Sequence, residues 1–295
     1  MVGHALATLV PGAKYLTSAA FDLRDPAAAD AMCASCNPDY VIHLAAKVGG
    51  VKSNTDYVGD MYRDNILMNT NLLEACRKHK VEKVVSLLST CVYPNNPVYP
   101  LTEDQFHNGS PHESNYGYAY AKRMLDVQSR AYRQQYGCNF ITAVPNNLFG
   151  ENDNYHLEDS HVLPAIMRKM YEAQLTNSDV YLWGDGSPIR EFTYSKDIAT
   201  ALLLLLDDYN EESPINIGNT EEISIKQVAE MIAEIVEFTG NIVWQTDQPA
   251  GQYRKPSDNS RFQELFGMEY TKFSTALQNS CRWFATNYPQ VRGVT

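Results

Sequence analysis

The chain has 295 residues, 44% of them hydrophobic and 20% charged, a globular mix long enough to bury a core of ordinary size. Its formal net charge of −11 argues against a nucleic-acid groove or an anionic membrane surface as partner, while leaving room for a local basic pocket that takes a phosphorylated metabolite. The six cysteines (Cys33, Cys36, Cys76, Cys91, Cys138 and Cys281) follow no signal-peptide pattern, so free thiols in a reducing cytoplasm are expected rather than a disulfide framework.

The chain opens Met1-Val2-Gly3-His4-Ala5-Leu6, and a helix-like run follows Gly3 at once. A dinucleotide fold normally opens with a strand, a G-x-x-G-x-x-G loop and a helix whose N-terminus faces a pyrophosphate. Gly3 reads as the last glycine of such a loop, with the first strand and the earlier glycines absent. Because that strand lies mid-sheet, this polypeptide alone is expected to fold poorly or to bind a dinucleotide weakly. AKYLT (13–17) is predicted as the second strand. It ends at Ser18 without the carboxylate that holds a ribose 2′-hydroxyl, which permits NADP. DPAAADAMCASCNPDY (25–40) reads as an Ala-rich helix and a turn. Its Cys33-x-x-Cys36 has no second pair, which favours helix packing over a redox or metal role.

YVIHLAA (40–46), KVVSLLST (83–90) and FITAVPNNLFG (140–150) are apolar on both faces, as strands covered by helices on each side must be. Between them MYRDNILMNTNLLEACRKH (61–79) and YAYAKRMLDVQSRAYRQQYG (118–137) repeat apolar residues at helical spacing, the second stopped by Gly137. The alternation predicts an α/β fold, a doubly wound parallel sheet of Rossmann type. After about residue 150 the pattern loosens. ENDNYHLEDSH reads as loop, HVLPAIMRKMYEA (161–173) as helix, and DVYLWGDGSPIREFTY (179–194) as strand, turn, strand. IATALLLLLDDY (198–209) is a buried helix, too short to span a bilayer. PINIGNTEEISIKQVAEMIAEIV (214–236) gives a short strand, a capped turn and a helix, and FSTALQNSCRWFATNY (273–288) an amphipathic helix. Residues 1–150 are therefore expected to form an N-terminally truncated NADP-binding domain that receives some later segments. Residues 151–295 are expected to form mainly a smaller substrate lobe over the carboxyl edge of the sheet, where open α/β folds bind ligands.

The chemistry concentrates in two segments. Tyr118 and Lys122, four apart, share one face of a helix. LLSTCVYP (87–94) puts Ser89 at the end of a buried strand. Ser, Tyr and Lys together describe hydride transfer: the Lys charge lowers the Tyr pKa, the phenol protonates the carbonyl oxygen, and the Ser hydroxyl hydrogen-bonds it. The plainer alternatives are a strand-end cap for Ser89 and an exposed helix pair for Tyr118 and Lys122.

With these residues placed, the sequence resembles the GDP-L-fucose synthase family of extended short-chain dehydrogenases. The resemblance is carried by VIHLAAKVGG (41–50), LSTCVYP (88–94), NYGYAYAKRM (115–124), QQYGCNF (134–140), VPNNLFGENDNYH (144–156), SHVLPAIMRK (160–169) and WGDGSPIREF (183–192). It implies a GDP-sugar substrate with a ketone at C4, epimerised at C3 and C5 and then reduced by NADPH. It implies Cys91 as the base and His161 as the acid of epimerisation. For NADP(H) it implies Gly3, Asp22 and Leu23, Ala45, Ala46 and Lys47 on the pyrophosphate side, Leu87, Leu88 and His161, Lys122 on the ribose, and Pro145, Asn146, Asn147 and Leu148 around the nicotinamide. For the GDP-sugar it implies Lys169, Trp183, Arg190 and Lys255, with no metal. It makes a homodimer through the helices at 61–79 and 118–137 the default. Residue by residue, alternatives stay open: a small buried hydrophobe for Cys91, a backbone-bonded helix terminus for His161, a simple strand exit for VPNNLFG, and core filling for Trp183. The competing functions are another nucleotide-sugar epimerase or dehydratase of the same type, and an inactive fragment.

Overall fold

A computed structural model describes residues 1–248 and 253–294. Helix α1 (Val2–Leu9) opens the chain. Helix α2 (Pro26–Cys36) starts on Asp25, whose carboxylate accepts the Ala27 N–H at 2.9 Å, and ends on Asn37 in the left-handed region (φ 42). Strand β1 (Tyr40–His43), helix α3 (Val51–Asp56), helix α4 (Val58–Lys78) and strand β2 (Lys83–Leu87) follow. Helix α5 (Tyr116–Tyr136) stops at Gly137 (φ 70), and strands β3 (Asn139–Pro145) and β4 (Asn147–Phe149) share the run read as one strand. The remaining elements are α6 (Val162–Thr176), β5 (Val180–Trp183), β6 (Ile189–Tyr194), α7 (Ser195–Asp208), β7 (Ile215–Ile217), β8 (Glu222–Ser224), α8 (Ile225–Ile235), β9 (Ile242–Gln245), α9 (Ser260–Phe266) and α10 (Phe273–Asn287).

The main sheet has the order β1-β2-β3-β7, every pair parallel. Successive residues of a strand face opposite ways, and the sequence uses both faces. Val84 and Phe140 join Met32, Cys33, Leu72, Cys76 and Leu125 under α2, α4 and α5. Val85 and Ile141 join Val2, Leu6, Ile198, Leu202, Leu205 and Phe262 under α1, α7 and α9. Cys33 is thus core, packed beside Cys76. The other core gathers Phe149, Leu163, Ile166, Met170, Leu182, Phe192, Val228, Ile232, Leu277 and Phe284. Helix α8 carries a full capping box: Ser224 Oγ accepts the Gln227 N–H at 3.1 Å and Gln227 Oε1 accepts the Ser224 N–H at 3.0 Å. β5 and β6 do not form a hairpin. β5 pairs in parallel with β9, and β6 lies between β4 and β8.

One predicted element is corrected. Residues 13–17 are coil, with Tyr15 and Leu16 exposed. A strand is stable only when its backbone groups find a ladder, and among the described residues β1 has β2 as its one ladder partner. AKYLT makes no ladder with any described strand and stays irregular despite its composition. Helix α3, strand β9 and helix α9 were not anticipated; each is shorter than the window over which periodicity can be counted.

Candidate active site

The strands of a parallel sheet end at one edge, and the predicted residues that follow β1, β2 and β3 lie along it. β2 leaves the sheet at Leu87 into a tight turn over Thr90–Val92, capped by Ser89, whose Oγ accepts the Cys91 N–H at 3.3 Å. Ser89 is therefore a cap, and the same hydroxyl lies near enough to the Tyr118 phenol to lower its pKa. Tyr118 sits in the first turn of α5. Gly117 lets that turn pack close to α4, since a Cβ there would stand 2.4 Å from the Val58 carbonyl oxygen. One turn further, Lys122 Nζ donates to the Leu87 carbonyl at 2.8 Å and lies 5.9 Å from the centre of the Tyr118 ring. Both side chains are buried, which is not the exposed helix pair of the plainer reading.

Burial dominates the electrostatics. It brings Lys122 down to about 8. It raises the Tyr118 phenol; the neighbouring Cys91 charge adds to the rise and the Ser89 hydroxyl offsets part of it. The expected lowering of the phenol by the Lys charge is not what governs it, because desolvation is the larger effect. A phenol held protonated is still the form that can donate to a developing alkoxide.

Cys91 is half-buried, and Lys255 is near enough to feel its charge. Burial lowers the Lys255 pKa, the Cys91 charge opposes that, and Arg190 reinforces it. Arg190, on β6, donates to the Ile189 carbonyl at 2.8 Å and the Tyr253 carbonyl at 3.4 Å. His161 is the N-cap residue of α6, its carbonyl accepts the Ala165 N–H at 3.1 Å, and its imidazole makes no cap bond to that helix. The residue is open to solvent, yet the protein around its ring lowers its pKa through desolvation. The loop leading to it is fastened to α3: Ser53 Oγ donates to Asp159, and the Gly50 N–H donates to the Asp159 carbonyl at 3.0 Å. Helix α3 in turn packs on the turn Glu113–Asn115 that opens α5.

The other predicted residues divide. Trp183 is 54% exposed at the end of β5, while Val180 and Leu182 of that strand point inward; it is not core filling. Lys169 Nζ donates to the Tyr181 carbonyl at 3.0 Å, and burial lowers its pKa. Asn147 is exposed and donates to the Glu191 carbonyl at 2.8 Å. Pro145 closes β3, and Leu148 is half-buried against the core beneath. Asn146 is enclosed: its Oδ1 accepts from Thr193 Oγ1 at 2.6 Å and its Nδ2 donates to the Asn219 carbonyl at 2.8 Å. The Leu88 side chain turns into the core, and Leu87 is half-buried. Ala45 is exposed and Ala46 half-buried beyond β1. Lys47 is bound to Asp64 at 2.9 Å, and Asp22 is paired with Arg24 at 2.6 Å, which holds its carboxyl at about 2. Leu23 is half-buried against the core of the α2 face. Gly3 lies in the first turn of α1, where a Cβ would meet Leu44 at an ordinary 3.8 Å.

The residues fit a nicotinamide–ribose at this edge. An ammonium carries three donors; Lys122 spends one on Leu87 and stands beside the Tyr118 phenol at the strand ends. Sequence reasoning missed Glu191 and Ser257. Glu191 is 2% exposed, and its signal was a carboxylate inside a strand whose following residues, Phe192 and Tyr194, are core. Among the described residues no three His, Cys, Asp or Glu side chains gather as a metal site, and all six cysteines are free.

Residues 4–218 match the model of the NAD dependent epimerase/dehydratase family. A GDP-L-fucose synthase of Dictyostelium discoideum is 42% identical over 281 residues, which span 94% of this chain and 88% of that relative. A crystal structure of a GDP-L-fucose synthetase from Naegleria fowleri bound to NADP superposes with a TM-score of 0.93 at 40% identity, covering 99% of this chain and 92% of that one. A UDP-glucose 4-epimerase of Thermus thermophilus, at 20% identity and a TM-score of 0.78, shares the fold.

Proposed function

The chain belongs to the NAD dependent epimerase/dehydratase family, among the GDP-L-fucose synthases, and we propose that it converts GDP-4-keto-6-deoxy-D-mannose to GDP-L-fucose with NADPH, by epimerisation at C3 and C5 followed by reduction at C4.

The chemistry follows from one ketone. The protons at C3 and C5 are acidic because the charge left by their removal spreads onto the C4 oxygen. In this reading the Ser89 hydroxyl and the Tyr118 phenol hydrogen-bond that oxygen. In this reading Cys91 takes the proton from one face of the ring and His161 returns one to the other. A bound NADPH supplies the hydride to C4. Tyr118 then gives its proton to O4, and Lys122 orients the phenol and holds the ribose. Lys255, Arg190 and Lys169 neutralise the diphosphate, and the exposed indole of Trp183 offers a flat surface to the remainder of the nucleotide. The segment 1–150 is assigned to the cofactor and 151–295 mainly to the substrate, with α7, β7 and α9 returning to the sheet.

The observation that carries the reading is a thiol, Cys91, two residues after the serine that caps the strand end beside a buried Tyr–Lys pair, with the Lys255 ammonium near enough to feel its charge. A reductase alone has no use for that thiol. The test is incubation with GDP-4-keto-6-deoxy-mannose and NADPH, with product analysis. GDP-fucose is expected; a reduced product that keeps the manno configuration would remove the epimerase half. A homodimer is assigned through α4 and α5, supported by the exposed Tyr62, Leu67, Tyr116 and Val127 on those helices. A cytoplasmic location is assigned on the free thiols. No helix among the described residues is long and apolar enough to cross a membrane.

A further inference from the structure

Glu191 is a carboxylate sealed inside the protein, on the strand residue directly after Arg190. A buried charge is costly unless hydrogen bonds replace its water. Its two oxygens receive the Ser257 N–H at 3.0 and 3.1 Å, the Ser257 hydroxyl at 2.6 Å and Asn146 Nδ2 at 3.3 Å. The segment bearing Ser257 is fixed a second time, where the Ile189 N–H donates to the Tyr253 carbonyl at 2.8 Å. Neighbouring residues of one strand thus pin both ends of a short segment, and Lys255 lies between the pins. Arg190 donates to the Tyr253 carbonyl at 3.4 Å, two residues before this lysine, and the Lys255 ammonium is near enough to feel the charges of Arg190 and Cys91.

We propose that Glu191 is a positioning residue for the GDP-sugar: through Ser257 it holds Lys255 beside Arg190, so that the two cations meet the diphosphate with the sugar ring over Cys91. The assignment rests on the GDP-sugar reading given above. The cofactor side does not depend on this carboxylate. Asn146 has shorter bonds to Thr193 at 2.6 Å and to the Asn219 carbonyl at 2.8 Å, which survive the loss of the longer one to Glu191. Removing Glu191 should therefore separate the two ligands. A residue that merely filled the core would weaken both alike or neither.

The experiment compares wild type, Glu191→Ala, Glu191→Gln and Ser257→Ala, each checked for a folded far-ultraviolet spectrum. GDP and NADPH are titrated separately, and KM and kcat are measured with the keto-sugar. In Glu191→Ala the GDP Kd and the keto-sugar KM should rise about tenfold or more, with the NADPH Kd within about twofold of wild type and kcat less affected than KM. Glu191→Gln keeps an acceptor for the Ser257 N–H and should recover most of the loss. Ser257→Ala keeps its N–H and should fall between. The assignment is overturned if GDP and NADPH affinities fall together, if neither changes in a folded Glu191→Ala protein, or if glutamine does no better than alanine. A wild-type chain that binds GDP but forms no GDP-fucose overturns the reaction instead, and the two titrations still decide Glu191. A wild-type chain that does not bind GDP overturns both.

Discussion

At the scale of single residues, the site combines side chains the sequence could name with a balance of forces it could not. Ser89, Tyr118 and Lys122 were legible because spacing and strand-end position point to them together. Their protonation was not, because it depends on burial. Lys122 sits at about 8 instead of 10.5. Its charged form, the one proposed to hold the ribose, is lost as pH rises through about 8, so kcat/KM for NADPH should fall above that pH. The stability effect has the opposite sign. Between about 8 and 10.5 the unfolded chain keeps a proton that the fold has lost, so this group favours the fold increasingly as pH rises across that window, and that contribution is lost as pH falls through 8. A kcat/KM profile flat to pH 10 would contradict the burial argument. His161 is lowered from 6.5 by desolvation. Its proton-donating form therefore disappears as pH rises through a range below 6.5, and deuterium uptake at C3 and C5 should slow over that range. Cys91→Ser should cut the same uptake by about 10²–10⁴ while leaving reduction of the ketone measurable. Uptake at the wild-type rate would remove Cys91 from catalysis.

At the scale of elements, periodicity located the long helices and the buried strands because each presents several turns or a whole strand to a core. It failed where an element is defined by its partner. AKYLT has strand composition and no ladder, and it is coil; β9 has four residues and exists because β5 runs beside it. FITAVPNNLFG was read as one strand but changes sheets after Pro145, where Asn146 turns inward to Thr193 and Asn219. That turn-over is completed at Gly150, with φ +152 and a hypothetical Cβ only 2.3 Å from Ser195 Oγ. Both the backbone angle and the contact exclude a side chain. Gly150→Ala should therefore lower stability by about 2 kcal/mol or more, measured by thermal unfolding. It acts on the joint between the main sheet and the sheet of β4, β6 and β8. An unchanged melting curve would mean that the joint yields at little cost.

At the scale of the whole molecule, the balance between exposed surface and paired backbone makes the sheet uneven. β2 and β3 have ladder partners on both sides, whereas β1 among the described residues pairs with β2 alone. β1 is also the least covered: Tyr40 is exposed and Val41 and Ile42 are half-buried, against fully buried Val84, Val85, Phe140 and Ile141. An edge with unpaired N–H and C=O groups opens by local fluctuation at lower free energy than a central strand. In native-state hydrogen exchange, amides of β1 should exchange faster than those of β2 and β3, whose protection should approach that of global unfolding. The consequence reaches function, because β1 leads directly into Ala45, Ala46 and Lys47, the residues assigned to the pyrophosphate side of NADPH. Looseness in β1 becomes looseness in that wall, and ordering it must be charged against cofactor affinity. Added NADPH should accordingly slow exchange across residues 40–47 more than across α10, which lies in the other core. Equal protection of β1, β2 and β3 before any ligand is added would show that the open edge carries no dynamic cost, and the link from sheet edge to cofactor affinity would fall with it.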